Sequence, residues 1–201
     1  MQHKKKLILL ALSLIILIAW RQQSATTEIT KWIINENSSL QVNGSTNINK
    51  FSCEIKQYDH NDTLVVQKTN NEINLSGSID LNIQSFDCHN SMMTNDLRKT
   101  LKEKEFPMLH IRFLSLNELP ALTNNAKPIT GFVDIELAGN NKRYKVNYKI
   151  SVDDQKVIHL LGIRDVNFSD FNLVPPKRLG GMVKSKDKLS VVFNLKMKAT
   201  D

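Results

Sequence analysis

The chain has 201 residues, 41% of them hydrophobic and 23% charged, with seven Gly, five Pro, two Cys and a net charge of +7. Four of the cations, Lys4, Lys5, Lys6 and Arg21, precede any acid, so the remainder carries only +3, an ordinary surface that gives no electrostatic argument for nucleic-acid binding. Sparse Gly and Pro exclude a low-complexity linker, and the roughly 175 residues after the first segment suit one domain large enough to bury a core without staples.

The first element is a targeting segment. Lys4-Lys5-Lys6, the apolar run over residues 7–20 and the polar exit at residues 21–24 have the order of a secretory signal. The run is shorter than the roughly 20 apolar residues of a spanning helix, and it lacks the polar face of an amphipathic helix. No clean small-x-small triplet follows Ala19, and Ala25 is the available cleavage site. No Cys follows the run to accept a lipid. Residues 1–25 are therefore expected to be a signal peptide or a retained N-terminal signal anchor, and residues 30–200 an exported domain, periplasmic or associated with the envelope.

Past this segment apolar and polar residues alternate with period two, the pattern of strands with one dry and one wet face. In chain order the candidates are residues 40–46, 51–55, 63–67, 79–83, 109–116, 129–137, 143–152, 156–168 and 189–197. The clearest is the set Tyr144, Val146, Tyr148, Ile150 and Val152, interleaved with Arg143, Lys145, Asn147, Lys149 and Ser151. A slip of one residue would bury charge, so its register is determined. Ile79, Leu81 and Ile83 form another such face, as do Ile129, Gly131, Val133, Ile135 and Leu137, and Leu189, Val191, Phe193, Leu195 and Met197. Ala138-Gly139-Asn140-Asn141 and Asp153-Asp154 fall between strands and supply residues suited to tight hairpins. One segment, residues 94–101, reads as helix: Met93, Leu97 and Leu101 recur at spacing four, Thr94 or Asn95 can cap the first turn, and Pro107 bars continuation beyond Phe106. Eight or nine antiparallel strands with one short helix give an all-β fold that must stack as a sandwich or close as a barrel, and periodicity does not choose between them.

Several short stretches, in order, carry a resemblance to a known family. Trp32 precedes Ser38-Ser39-Leu40-Gln41-Val42-Asn43-Gly44-Ser45-Thr46-Asn47, and Phe51 follows. Ser76-Gly77-Ser78-Ile79-Asp80-Leu81 comes next, and then Asn90-Ser91-Met92-Met93-Thr94-Asn95-Asp96-Leu97 with Leu101 and Phe106-Pro107. Ser169-Asp170-Phe171-Asn172-Leu173 and Gly180-Gly181 lie before the last strand. Together these resemble the YceI-like family of polyisoprenoid-binding proteins over residues 30–198. Two positions depart from the pattern. Asn172 stands where the family has Gly, and Asn is the next best residue at a left-handed position. Ile111 stands where an aromatic is common, with Phe113 nearby to fill the space.

The resemblance implies an extended lipocalin-like barrel of eight antiparallel strands with a helix near one end. Its lumen would hold an isoprenoid chain from a polyprenyl phosphate or a quinone. The candidate lumen residues are Phe51, Ile79, Leu81, Phe113, Val133, Ile135, Tyr144, Val146, Tyr148, Phe171 and Phe193. At roughly 0.8 kcal/mol per buried CH₂ an apolar tube binds such a chain without charged contacts. The same side chains, taken by themselves, equally make an ordinary filled core.

Catalytic and metal chemistry finds little support in the sequence. His60, His89, His110 and His159 are scattered without the spacing of a metal site, although His110 and His159 would meet if their strands were neighbours. No G-x-S-x-G elbow or Gly-rich phosphate loop occurs. Asp153-Asp154 reads as a solvated turn, and Lys177-Arg178 as a solvated loop or as the phosphate contact a polyprenyl phosphate would need at the barrel mouth. No catalytic residue, metal or cofactor is expected beyond a bound lipid.

Cys53 and Cys88, the only cysteines, are expected to form a disulfide, because export places them in an oxidising compartment. Some relatives in the family carry cysteines at these places. The alternative is two buried, inert thiols. The leading expectation is a carrier or reservoir for an isoprenoid lipid in the bacterial envelope, close to the membrane. The runner-up is a barrel with a filled core that recruits an envelope partner, and an enzyme acting on lipid is a distant third. A homodimer remains open.

Overall fold

The structure, a computed structural model, describes residues 27–69 and 72–200, so the expected signal at residues 1–25 lies outside the described residues. In chain order the elements are β1 (Thr27–Ile34), β2 (Ser39–Ser45), β3 (Lys50–Ile55), β4 (Thr63–Thr69) and β5 (Glu72–Asn82). The helix α1 (Ser91–Thr100) follows, and then β6 (Met108–Leu116), β7 (Pro128–Leu137), β8 (Asn140–Val152) and β9 (Ile158–Asn167). The short strands β10 (Lys177–Arg178) and β11 (Val183–Lys184) pair with each other, and β12 (Lys188–Thr200) ends the chain.

The alternating faces put the long strands side by side. The order β1-β4-β5-β6-β7-β8-β9-β12 is antiparallel throughout, and β12 returns to β1, with Ile34 opposite Met197 and Lys31 opposite Thr200. The ring of eight strands is closed, which decides for a barrel and against a sandwich. The sequence reading did not assign β1, and this strand supplies the closure.

Two breaks make the wall longer than eight simple strands allow. β12 pairs with β2 over Ser190 to Asn194 and with β1 over Met197 to Thr200, so β1 and β2 run one after the other along it. At the break between them, Ser38 is fully buried. Its hydroxyl accepts from the Lys196 amide at 3.0 Å, and the Asn35 amide donates to the Lys196 carbonyl at 2.9 Å. These bonds replace the ladder that the bend would otherwise leave unpaired. β3 and β4 break in parallel with them. Tyr58, in the second break, donates its amide to the Ser38 carbonyl at 3.0 Å, accepts at its hydroxyl from the Asp80 amide at 3.2 Å and donates to Asp62. Burial, reinforced by the Asp62 hydrogen bond, holds the Tyr58 phenol well above its ordinary range.

At the α1 end the wall is therefore β12-β2-β3, and β3 has no full strand beyond it. It joins the segment after β5 instead. Glu54 and Asp87 exchange both backbone hydrogen bonds, at 2.8 and 2.9 Å, and Cys53 is disulfide-bonded to Cys88. The expected pairing of the two cysteines is present, and it laces the seam where β3 meets its neighbour through the single Glu54–Asp87 bridge.

α1 differs from expectation at its start. The cap is Asn90, whose side chain accepts from the Met93 amide at 3.0 Å. Thr94 faces inward, buried, and its hydroxyl accepts from the Cys88 amide at 3.0 Å. The helix stops well before Pro107, because Lys102 takes a left-handed conformation, φ 56°, one residue after the C-cap Leu101. Ile83, expected at the end of a strand, is buried in a single 3₁₀ turn, Ile83–Ser85. Asn172 does adopt the left-handed conformation, φ 55° and ψ 33°, that Gly would have supplied.

Candidate functional site: the barrel lumen

The strand faces predicted to point inward do so, and the lumen they form is almost wholly apolar. Among the described residues the buried polar groups are the side chains of Ser38 and Thr94, the hydroxyls of the buried Tyr58, Tyr144 and Tyr148 and the Trp32 indole; no Asp, Glu, Lys or Arg side chain is buried as a whole, although the Nε of half-buried Arg98 is. A charge there would carry a desolvation cost of several kcal/mol, so a guest in this lumen must be hydrocarbon over most of its length.

The lumen is not uniform along its axis. β12 shows the change. Near α1, Leu189 and Val191 line an apolar cavity of about 50 Å³. Its other walls include Leu40 and Val42 of β2, Phe86, and Leu97 and Leu101 of α1. One step further along β12 the tube is filled. Phe193 packs edge-on against Phe113 at 6.1 Å between ring centroids and against Tyr148 at 6.0 Å. Two glycines make room for this trio. A Cβ at Gly162 would stand 2.2 Å from the Phe193 ring, and one at Gly131 would stand 2.9 Å from the Tyr148 ring. Beyond Phe193 lies a void of only about 10 Å³, lined by Ile79, Leu81 and Leu195 among others.

The candidate residues thus separate into groups. Ile135 and Phe171 line the larger cavity. Ile79 and Leu81 line the small void. Phe113, Tyr148 and Phe193 form the plug. Val133 and Val146 are fully buried and line neither void. Phe51 is half-buried and lines a separate pocket of about 200 Å³ at the α1 end, together with Met93, Phe168 and Arg178. That pocket and the larger cavity share Leu97 as a wall. Tyr144 stands at the same end. Its hydroxyl donates to Asp170 at 2.8 Å, and the Arg164 guanidinium lies 5.4 Å from its ring centre. Burial and the Asp170 bond push the Tyr144 phenol up.

The sequence reading missed the helix as a wall of the site. In the sequence Leu97 and Leu101 serve only as the spacing that marks the helix, and Phe86 is not singled out. Their common signal is position: all three fall in the one segment that interrupts the strand pattern. Ile111, at a position often aromatic in the family, lines the larger cavity, and Phe113 does fill neighbouring space.

Two lumen residues carry a polar atom without a partner. The Tyr148 hydroxyl and the Trp32 indole nitrogen are buried and make no hydrogen bond among the described residues. Burial alone raises the Tyr148 phenol far above its ordinary range. Such an atom costs free energy unless something polar enters beside it.

The remaining polar candidates lie elsewhere. His110 and His159 do not meet, because β7 and β8 separate their strands. His110 sits 2.7 Å from Asp80, and His159 sits 2.8 Å from Asp153. Asp153 is thus bonded within its turn, and the His159 contact, with backbone amides, holds its carboxyl below the ordinary range. Arg178 is not free for a phosphate: it pairs with Asp96 and donates to the Met92 carbonyl at 2.6 Å. Among the described residues no three His, Cys, Asp or Glu side chains are placed to hold a metal.

Solved structures share this architecture. BcnA of Burkholderia cenocepacia superposes with a TM-score of 0.59 at 14% identity, covering 79% of this chain and 95% of its own. A polyisoprenoid-binding domain from Saccharophagus degradans, implicated in plant cell wall breakdown, also gives a TM-score of 0.59. It is 10% identical and covers 84% of this chain and 98% of its own. Comparison with models of protein families finds no match, and comparison with curated proteins finds none either. The likeness is one of fold, and that fold is the closed barrel implied by the sequence's resemblance to the YceI-like family.

Proposed function

We propose that the protein is an exported, non-enzymatic carrier or reservoir for a long isoprenoid lipid, a polyprenyl phosphate or a quinone, in the bacterial envelope. One observation carries the reading: a closed barrel has a lumen without a buried charge, and that lumen keeps an apolar cavity against α1 instead of closing on it. The disulfide supports export, and the fold shared with a polyisoprenoid-binding domain supports the ligand class. The orphaned Tyr148 hydroxyl supports a ligand with a polar atom, such as a quinone carbonyl, reaching the middle of the tube.

The cavity, about 50 Å³, falls far short of the roughly 300–1,000 Å³ of sites that bury a drug-sized ligand. A long chain therefore enters only as α1 and the Phe113–Tyr148–Phe193 plug give way. The same plug favours a second reading, a barrel with a filled core that recruits an envelope partner. Native mass spectrometry of protein purified from membranes separates the two. A co-purifying mass of isoprenoid size supports the carrier, and apo-protein from membranes rich in such lipids removes it.

A further inference from the structure

The five most exposed large apolar side chains among the described residues all stand at one end of the barrel. They are Met182 (75% exposed), Val174 (73%), Leu179 (71%), Ile48 (69%) and Met92 (61%). They come from three segments that hydrogen bonds tie together. The Asn47 side chain, next to Ile48 in the β2–β3 turn, donates to the Met182 carbonyl at 2.9 Å and accepts from the Lys184 amide at 2.9 Å. Arg178 reaches the carbonyl of Met92, at the start of α1. Leu179 is held outward by a left-handed turn, φ 50°, continued by Gly180 and Gly181. A bulky apolar residue in that conformation, pointing into water, is costly unless the surface has a use for it.

The charge around these residues is mainly positive. Residues 174–188 contain Lys177, Arg178, Lys184, Lys186 and Lys188 against the single acid Asp187. Arg178 is neutralised by Asp96 and Lys188 by Asp165. Lys177, Lys184 and Lys186, with Lys50 at the start of β3, are exposed, and none has a carboxylate within 4 Å among the described residues. Apolar side chains projecting from a ring of unpaired lysines match a membrane surface bearing anionic headgroups. The pocket between the three segments shares Leu97 with the lumen cavity, so whatever covers this end covers the way in.

We infer that the α1 end of the barrel docks on an anionic lipid bilayer. Leu179, Met182, Ile48, Val174 and Met92 enter the interface, while Lys50, Lys177, Lys184 and Lys186 contact headgroups. The purpose assigned to this docking, loading through the gap beside α1, rests on the carrier reading. The geometry of the surface does not. Thr27, the start of β1, lies at the opposite end, beside Thr69, and orientation is the point to test.

The test uses the full-length oxidised protein with one added cysteine bearing a polarity-sensitive fluorophore. The cysteine is introduced by Met182→Cys, or by Leu122→Cys in the loop after β6 at the opposite end. Both positions are exposed, so the label leaves the fold intact. With vesicles of phosphatidylglycerol and phosphatidylcholine, the label at position 182 shifts to the blue and is quenched by a lipid-borne quencher. With phosphatidylcholine alone the response falls away, and the label at position 122 stays in water. Lys177→Gln, Lys184→Gln and Lys186→Gln combined lower the partition coefficient roughly a hundredfold. No response at position 182, a response at position 122 instead, or binding indifferent to the three lysines overturns the inference. Native mass spectrometry of the same samples keeps the two ideas apart. Co-purified lipid without docking removes only the docking surface, and docking without lipid removes only the carrier.

Discussion

Reducing the Cys53–Cys88 bond should open the barrel at one seam and lower its stability by an amount the structure allows to be worked out. The bond joins residues 35 apart. A crosslink closing a loop of that length removes about 13 cal/mol/K from the unfolded chain, worth about 4 kcal/mol at 25 °C. For a domain of this size that is roughly 8–16 °C in melting temperature. The location sharpens the expectation. Next to the bond, β3 is held to the segment after β5 by the two Glu54–Asp87 backbone hydrogen bonds, whereas elsewhere in the ring full ladders do the joining. Urea unfolding of the same protein, oxidised and then reduced, measures the loss without altering packing. Hydrogen exchange adds a local reading: on reduction the amides of Glu54 and Asp87 should speed up more than those of the β9–β12 ladder. A loss below about 1 kcal/mol, or uniform exchange, would refute the reasoning, because the seam would then be carried by packing of Leu40, Ile55 and Phe86 alone.

Three further outcomes follow from the lumen and its rim. Val191 lines the cavity, so Val191→Phe should cost less than about 1 kcal/mol in urea unfolding while reducing co-purified lipid. Val146, fully buried and away from either void, should lose about 3 kcal/mol or more as Val146→Trp. A Val191→Phe protein that keeps its lipid would place the guest elsewhere. Tyr148→Phe removes an unpartnered buried hydroxyl and should raise stability by about 1 kcal/mol in the lipid-free protein, and unchanged or reduced stability would show that the hydroxyl has a partner. Asp170 is pushed up by burial, but the Asn167 amide and the Tyr144 hydroxyl more than offset this and leave its carboxyl below the ordinary value of 3.8. Stability from Asp170 is therefore complete above that value and is lost as pH falls towards its depressed one. The wild-type urea midpoint should drop below about pH 4, and Asp170→Asn should flatten that drop.

How much of the fold the sequence discloses depends on whether the information is local. Tyr144 to Val152 declared its strand, its register and its inward face, because a charged or polar residue at every second position leaves no other arrangement. β1 did not. Trp32 and Ile34 point inward, but Ile33 between them and exposed Ile29 blur the alternation. Barrel or sandwich turned on that strand, since closure is the pairing of Ile34 with Met197 near the far end of the chain. The break at Asn35 to Ser38 was hidden for a related reason. Ser38 is polar and fully buried, and its role as a ladder partner for Lys196 exists only once β12 lies beside it.

The site was legible in one dimension and not in the other. Alternation says that Val133, Val146 and Val191 all face inward. It does not say how far each stands from what fills the tube, because that depends on side chains from several strands meeting at one height. Gly162 shows the point. In the sequence it is one small residue in a strand, whereas in the barrel it is the recess that lets Phe193 lie across the lumen and meet Tyr148 and Phe113. Empty volume is a small difference between a large enclosed space and the side chains that occupy it. It survives where the wall changes from strand to helix, since Leu97 and Leu101 recur every four residues while the facing strands present a side chain every two. The two periods cannot interdigitate fully. For that reason the cavity lies under α1 and not at mid-barrel, and a mobile guest would gain entry there at the least cost in broken packing.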